Sequence, residues 1–163
     1  MKRFVPILVL AGVAATAWTL FAQEPSTTAA SPSMTHQAMT PEDIKWSAGP
    51  PSLPPGAQMA VLAGDPSKPG VFTVRLKTPA GYKIPLHTHP TDEAVTVLSG
   101  SASFTMGSAS APAKTLPVGG FVLMPAGMQH AAAMTGETIV QVTAQGPFVI
   151  NYVNPADDPS AKK

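Results

Sequence analysis

The 163-residue sequence contains no cysteine, and this absence excludes several kinds of chemistry at once. The chain can form no disulfide, has no thiol nucleophile and carries no cysteine for a lipid anchor. Charged residues are scarce, at 12% of the chain, and the formal net charge is +1 with no basic run. The sequence therefore lacks the electrostatic footprint of a nucleic-acid-binding protein. It also contains no G-x-S-x-G motif and no phosphate-binding P-loop.

The amino terminus has the pattern of an export signal. Lys2 and Arg3 form a charged start, and an apolar stretch of 18 residues follows from Phe4 to Phe21. We therefore predict a signal peptide at residues 1–22 and a periplasmic or secreted protein. The alternative is an uncleaved membrane anchor, which this length barely permits. Leu20, a poor residue at the third position before the cleavage point, keeps that alternative open.

Residues 23–43 are rich in Ser, Thr, Ala and Pro, a composition that predicts a disordered linker. Met34, His36 and Met39 within it form a soft ligand set that could capture copper. The simpler interpretation is three ordinary residues in a tether. At the other end, residues 154–163 are predicted to form a polar tail.

Proline (19 residues) and glycine (13) are abundant, which favours a turn-rich β-protein. From residue 44 to 153, short apolar runs alternate with glycine and proline turns and predict one all-β domain. Glu93–Leu98 and Ser101–Met106 are predicted to form a hairpin around Gly100. The other predicted strands are Ile44–Ser47, Gln58–Leu62, Val71–Lys77, Phe121–Met124, Ala131–Met134, Ile139–Ala144 and Phe148–Val153. About ten short strands in about 110 residues indicate a sandwich or barrel.

The most informative segment covers residues 81–100. It reads GYKIPLHTHPTDEAVTVLSG, with His87 and His89 two residues apart and Glu93 shortly after them. Residues two apart on a strand point to the same face, so both imidazoles can reach one point. Glu93 can return to that point after the turn formed by residues 90–92. Two imidazoles and a carboxylate converging in a β-rich protein indicate a transition-metal site.

A second segment supplies a third imidazole. Residues 119–130 read GGFVLMPAGMQH, an apolar strand followed by a Pro-x-Gly turn and then His130. Such a turn is the natural way to deliver one more imidazole to the site. We therefore predict that His87, His89, Glu93 and His130 are metal ligands. His36, the fourth histidine of the chain, is assigned no role.

The two segments resemble the two motifs of the cupin superfamily. The first motif is a Gly, five residues, His-x-His, three or four residues, Glu, six residues and Gly, and Gly81 and Gly100 occupy its ends. The second is a Gly, five residues, Pro-x-Gly, two residues, His, three residues and Asn. Gly119 opens it here, and Met134 stands where the Asn is usual. The agreement at nine fixed positions is far more specific than a single His-x-His.

This resemblance implies a single-domain jelly-roll barrel, the cupin double-stranded β-helix, of a small bacterial type. It also implies a centre for one divalent transition metal (Fe, Mn, Ni, Co, Cu or Zn) with positions left open for other ligands. The activity it implies is metal-dependent oxidoreduction of the dioxygenase type on a small molecule, with Glu93 also acting as a catalytic base. Many small cupins pair as homodimers.

Two other functions stay open at the level of sequence. One is a non-catalytic small-molecule or metal-binding module, and the other is a metal-dependent lyase or isomerase. Several polar groups converging beside the metal would favour an enzyme, and an apolar or solvent-open pocket would favour the binding module. Gln141, on a late strand, is either a polar pocket group or an outward-facing residue.

Overall fold

Eleven strands form two antiparallel sheets in the computed structural model, which describes residues 36–162. The strands are β1 (Ser47–Ala48), β2 (Gln58–Ala63), β3 (Gly70–Thr78), β4 (Lys83–Thr88), β5 (Glu93–Ser99), β6 (Ser101–Met106), β7 (Lys114–Pro117), β8 (Phe121–Met124), β9 (His130–Met134), β10 (Thr138–Gly146) and β11 (Asn151–Tyr152). The predicted all-β class is confirmed. The predicted signal peptide and most of the predicted linker, including Met34, lie outside the described residues. Among residues 36–162, no helix is long and apolar enough to cross a membrane.

The two sheets share one hydrophobic core. The larger sheet has the order β1-β2-β3-β10-β5-β8, and the smaller has the order β11-β4-β9-β6-β7. Neighbouring strands are often distant in sequence, since β3 pairs with β10 and β10 pairs with β5. Buried side chains of both sheets, such as Phe72 and Val142 from the larger and Ile84 and Phe104 from the smaller, belong to one cluster. This double-sheet arrangement is the predicted jelly-roll architecture.

Alternation along the strands decides which side chains enter this core. On β3, Phe72, Val74 and Leu76 are buried, while the residues between them face outward. On β5 the same period buries Val95 and Val97 together with Glu93, the first residue of the strand. The carboxylate therefore lies on the inner face of the larger sheet because it is in phase with two buried valines.

The predicted hairpin around Gly100 is wrong. β5 pairs with β10 and β8 in the larger sheet, whereas β6 pairs with β7 and β9 in the smaller one. Gly100 has a φ of +71°, a conformation that glycine adopts without steric cost. The chain uses it as a corner from one sheet to the other. A two-strand pattern flanking a glycine fits a sheet-to-sheet corner as well as a hairpin.

Several strand boundaries also differ from the sequence-based expectation. The predicted strand Phe148–Val153 is reduced to Asn151–Tyr152, although residues 148, 150 and 152 alternate in burial with 149, 151 and 153 as expected. The predicted edge strand Ile44–Ser47 is displaced to Ser47–Ala48, and β7 was not predicted. The carboxyl-terminal residues form two short 3₁₀ turns, Pro155–Asp157 and Pro159–Lys162.

Candidate metal centre

A bulge in β4 turns His87 towards the interior. Ile84 and His87 are both buried although they are three residues apart, which a regular strand with a period of two does not allow. The pairing of β4 with β9 shifts register between these two residues. Pro85, which has no N–H to donate to the ladder, lies inside the irregular segment. One inserted residue thus restores the phase and points the imidazole inward.

His130 lies on the neighbouring strand, directly after a turn that is hydrogen-bonded to the segment containing His87 and His89. His130 is the first residue of β9 and lies directly opposite His87. The turn before it is held at two points: Gly127 N–H donates to the carbonyl of His89 at 2.8 Å, and Ala126 N–H donates to Asp92 Oδ1 at 2.8 Å. The two segments are therefore locked together. Sequence reasoning missed Asp92, although an Asp in the turn just before a ligand is a recognisable anchor for a neighbouring loop.

The four residues predicted as ligands come together between the two sheets. His87, His89 and His130 are each at most 4% exposed, and each offers a ring nitrogen within 4.8 Å of the other two. Glu93 Oε2 lies 3.4 Å from His89 Nε2 and 3.2 Å from His130 Nε2. His36 is exposed. The structure thus places all four predicted residues at one point and leaves the fourth histidine out.

Backbone carbonyls orient all three imidazoles. Nδ1 of His87 donates to the carbonyl of Pro85 at 2.7 Å, that of His89 to Val149 at 2.7 Å, and that of His130 to Met128 at 3.0 Å. A carbonyl oxygen can only accept, so Nδ1 carries the proton and Nε2 of the neutral ring presents a lone pair. Carbonyl bonds of this kind fix the tautomer of metal-binding histidines.

The cluster is chemically incomplete without a cation. His89 Nε2 and His130 Nε2 are buried and have no hydrogen-bond partner among residues 36–162, even though the Glu93 carboxylate is close to both. Buried polar atoms without partners are rare and costly. Two nitrogen lone pairs facing a carboxylate repel one another unless a positive charge lies between them. Bonds of about 2.0–2.2 Å to a shared ion would separate adjacent donor atoms by roughly 3–3.5 Å, close to the 3.4 Å and 3.2 Å between Glu93 Oε2 and the nitrogens of His89 and His130. The residues therefore fit a divalent metal.

The protonation states agree with this set of ligands. Burial, aided by the neighbouring His130, lowers the pKa of His87 to about 4, although its hydrogen bond to Pro85 acts in the opposite direction. Burial alone would raise the pKa of Glu93, but hydrogen bonds from the His130 and His89 imidazoles, which those rings donate only when protonated, bring it down to about 2. At neutral pH His87 is thus a neutral donor and Glu93 an anion, which are the forms that bind a metal.

The depressed pKa of His87 predicts acid sensitivity of the metal-free protein. The unfolded chain gains a proton at this residue below about pH 6.5, whereas the folded chain does not until about pH 4. The free energy of unfolding should therefore fall as the pH drops from 6.5 to 4, by up to about 3 kcal/mol from this group. Denaturant unfolding of chelator-treated protein across this range measures it. His87→Gln should flatten the dependence and His36→Gln should not; an unchanged slope in His87→Gln would contradict the assignment.

A cavity of about 240 Å³ opens onto the cluster. Its floor includes His87, His89 and Glu93, and most of its wall is apolar. The walls not foreseen from the sequence are the segment 50–53 and Phe148, whose ring stacks on that of His89 with centroids 4.1 Å apart. Gln141 does not line it; its side chain instead accepts a hydrogen bond from Arg75 Nε at 3.3 Å.

Two tyrosines hold the segment 50–55, here called the proline strap, over this cavity. Its sequence is PPSLPP. The hydroxyl of Tyr82 donates to the carbonyl of Pro54 at 2.6 Å, and that of Tyr152 donates to the carbonyl of Ser52 at 2.7 Å. Burial raises the pKa of both phenols, and with Asp158 and Asp157 nearby that of Tyr152 reaches about 12. Both hydroxyls therefore remain donors across the physiological range.

Comparison with known proteins identifies a matching family and several solved structures with a similar fold. The family described as ChrR Cupin-like domain matches residues 34–149. A polyketide cyclase, RemF from Streptomyces resistomycificus, is 15% identical with a TM-score of 0.62, over 77% of this chain and 91% of that one. An RmlC-like cupin from Shewanella frigidimarina is 15% identical with a TM-score of 0.56, over 69% and 92% of the two chains. KdgF from Halomonas is 17% identical with a TM-score of 0.55, over 69% and 96%. No curated protein matches the sequence.

Proposed function

The chain belongs to the cupin superfamily, in the family of ChrR cupin-like domains, and from this premise we propose that it binds one divalent transition metal and holds a small molecule against it. The metal ligands would be His87, His89, His130 and Glu93. The observation that carries the proposal is the pair of buried Nε2 atoms that have no partner and face a carboxylate. Three nitrogens and one oxygen suit Fe, Mn, Ni, Co, Cu or Zn.

The character of the cavity favours binding over catalysis. Apart from the residues of the cluster, the only polar side chains that the wall offers among residues 36–162 are the hydroxyls of Ser52 and Ser67. Neither is a general acid or base of suitable pKa. A small molecule would therefore be held by apolar contacts and by the metal. A protein that only binds its ligand needs nothing more.

Oxidoreduction of the dioxygenase type is the second candidate. It is favoured by the fact that the cavity opens directly on His87, His89 and Glu93, so a substrate would lie beside the centre. A divalent metal bound there would supply Lewis-acid or redox chemistry. Glu93 would hold the metal and accept a proton from the substrate. Its low pKa keeps it anionic at neutral pH but makes it a weak base, which limits the second role.

Oxygen consumption separates the two candidates. A dioxygenase loaded with Fe(II) should consume O₂ with at least one phenol, catechol, thiol or enediol, and the metal-free protein should not. Glu93→Gln should then lower turnover by a larger factor than it lowers metal content, because a proton acceptor contributes to the transition state beyond its role as a ligand. Thermal stabilisation by a small molecule, without product or O₂ uptake in any metal form, would establish the binding protein instead.

Export to the periplasm is part of the proposal and rests on the amino-terminal sequence alone. Lys2, Arg3 and the apolar stretch after them support it. The mature protein should begin near Gln23, which the intact mass of the periplasmic fraction determines. A full-length chain retained in the membrane would replace the signal peptide with an anchor.

A further inference from the structure

The cavity is polar at one end only. Its metal end holds His87, His89 and Glu93, and its body is lined by aliphatic, aromatic and proline side chains. Of the two serines, Ser67 is exposed and its hydroxyl already donates to Asp65 Oδ1 at 2.6 Å. Ser52 is half-buried in the proline strap. A ligand therefore finds strong polar partners at the metal end and almost none elsewhere.

The body of the cavity also lacks charge. None of its lining residues, all of which lie in the described part of the chain, is Lys or Arg, and Glu93 is the only acid among them. A charged group buried against these walls would lose its hydration and gain no partner, which costs several kcal/mol or more. A sugar would also bind poorly, because each of its buried hydroxyls would lack a hydrogen-bond partner and add its own desolvation penalty. The cavity thus selects against polyols and against ligands that would bury a charge away from the metal end.

The cavity volume sets the size of the part of a ligand that the cavity can enclose. An apolar cavity of about 150 Å³ holds benzene, so by proportion 240 Å³ holds on the order of ten non-hydrogen atoms. Phe148 and Phe72, whose rings meet edge to face with centroids 5.2 Å apart, give the wall an aromatic part. Aromatic side chains of this kind favour a ring as the occupant.

We propose that the ligand is a neutral, predominantly apolar molecule of about ten non-hydrogen atoms, one ring with a short alkyl substituent and a single polar head directed at the metal. This inference rests on the proposed metal-binding function and specifies its ligand class. An alkylphenol is the simplest member of the class.

Calorimetric titration of the Zn²⁺-loaded protein tests the class with matched probes. 4-Propylphenol and tyramine have the same number of non-hydrogen atoms and differ by an ammonium at the far end. 4-Propylphenol should bind at one site at least tenfold more tightly than tyramine, and glucose should not bind. Equal or tighter binding of tyramine or glucose would overturn the inference.

Variants on β2 and β3 locate the binding in this cavity. Val74 is buried and lines it, whereas Val71 on the same strand is 57% exposed and points away. Val74→Phe should weaken binding of 4-propylphenol at least tenfold, and Val71→Phe should leave it unchanged. Met59→Ala enlarges the cavity and should shift the tightest ligand from 4-propylphenol to a longer alkylphenol. If Val74→Phe does not fold, as circular dichroism would show, the shift in Met59→Ala decides the matter.

Elemental analysis of the same samples separates this inference from the proposed function. Full metal content without alkylphenol binding would overturn the ligand class and leave the metal centre standing. Tight alkylphenol binding by protein that takes up no metal would overturn the metal function and, with it, the contact between the polar head and the metal.

Discussion

The double variant His87→Ala/His89→Ala should lose its metal and keep its fold. Four protein ligands typically contribute about 10–16 kcal/mol to the binding of a structural zinc ion, so the loss of two should weaken binding by on the order of a thousandfold or more. Wild-type protein, in contrast, should hold about one divalent ion per chain. Elemental analysis after dialysis against a weak chelator measures both values.

The control for this experiment is His36→Ala. This histidine is exposed and lies apart from the cluster, so its removal should leave the metal content unchanged. Circular dichroism should show a folded double variant, because the hydrophobic core shared by the two sheets contains neither imidazole. Full occupancy in the folded double variant would mean that the metal is bound elsewhere, and the assignment of the centre would fail.

Gly100→Ala should be the most destabilising single methyl addition in the two cupin-like segments. A Cβ at this position would overlap the carbonyl oxygen of Glu137 and lie 2.6 Å from Thr138 Oγ1. Thr138 is fully buried and its hydroxyl is engaged with the carbonyls of Ser101 and Gly136, so it cannot move aside cheaply. With the cost of a positive φ added, we expect a loss of about 2–5 kcal/mol in the free energy of unfolding.

Gly81→Ala provides a matched control. Gly81 has a φ of +74°, against +71° for Gly100, but a Cβ there would meet no atom within 4 Å. It should lose only about 1–2 kcal/mol, the conformational part of the cost. Denaturant unfolding of both variants compares them. Equal losses would show that the contact with Glu137 and Thr138 is relieved, and the corner between the sheets would then be softer than its geometry indicates.

The sequence predicted the inner face of this fold better than its connections. Alternation placed Phe72, Val74 and Leu76 inside because a period of two is a local property that each strand carries with it. The partner of a strand is not local: the same glycine-centred pattern describes a hairpin and a sheet-to-sheet corner, and Gly100 forms the corner. Strand pairing depends on the whole topology, which one segment does not encode.

For the candidate site, the sequence predicted the residues of the cluster but not the shape of the cavity beside it. Spacing, turn chemistry and the resemblance to the two cupin motifs predicted that His87, His89, Glu93 and His130 come together, and whether they hold a metal stays a prediction. The shape of the cavity was not accessible from the sequence, because the proline strap reaches it through tertiary hydrogen bonds. The same is true of the Val149 carbonyl that orients His89, which lies 60 residues away along the chain.

The proline strap affects how sharply the protein discriminates among related ligands. Its four prolines restrict the backbone before any ligand arrives, and two phenol hydroxyls fix it in place. A wall of this kind does not move aside for a ligand that is too large. In a homologous series of ligands, the affinity should therefore fall steeply with each methylene beyond what the cavity encloses. A flexible wall would instead bind all members of the series, and ligands of many shapes, with similar affinity. The two tyrosines thus help to determine which ligand sizes the cavity accepts, although neither needs to touch the ligand.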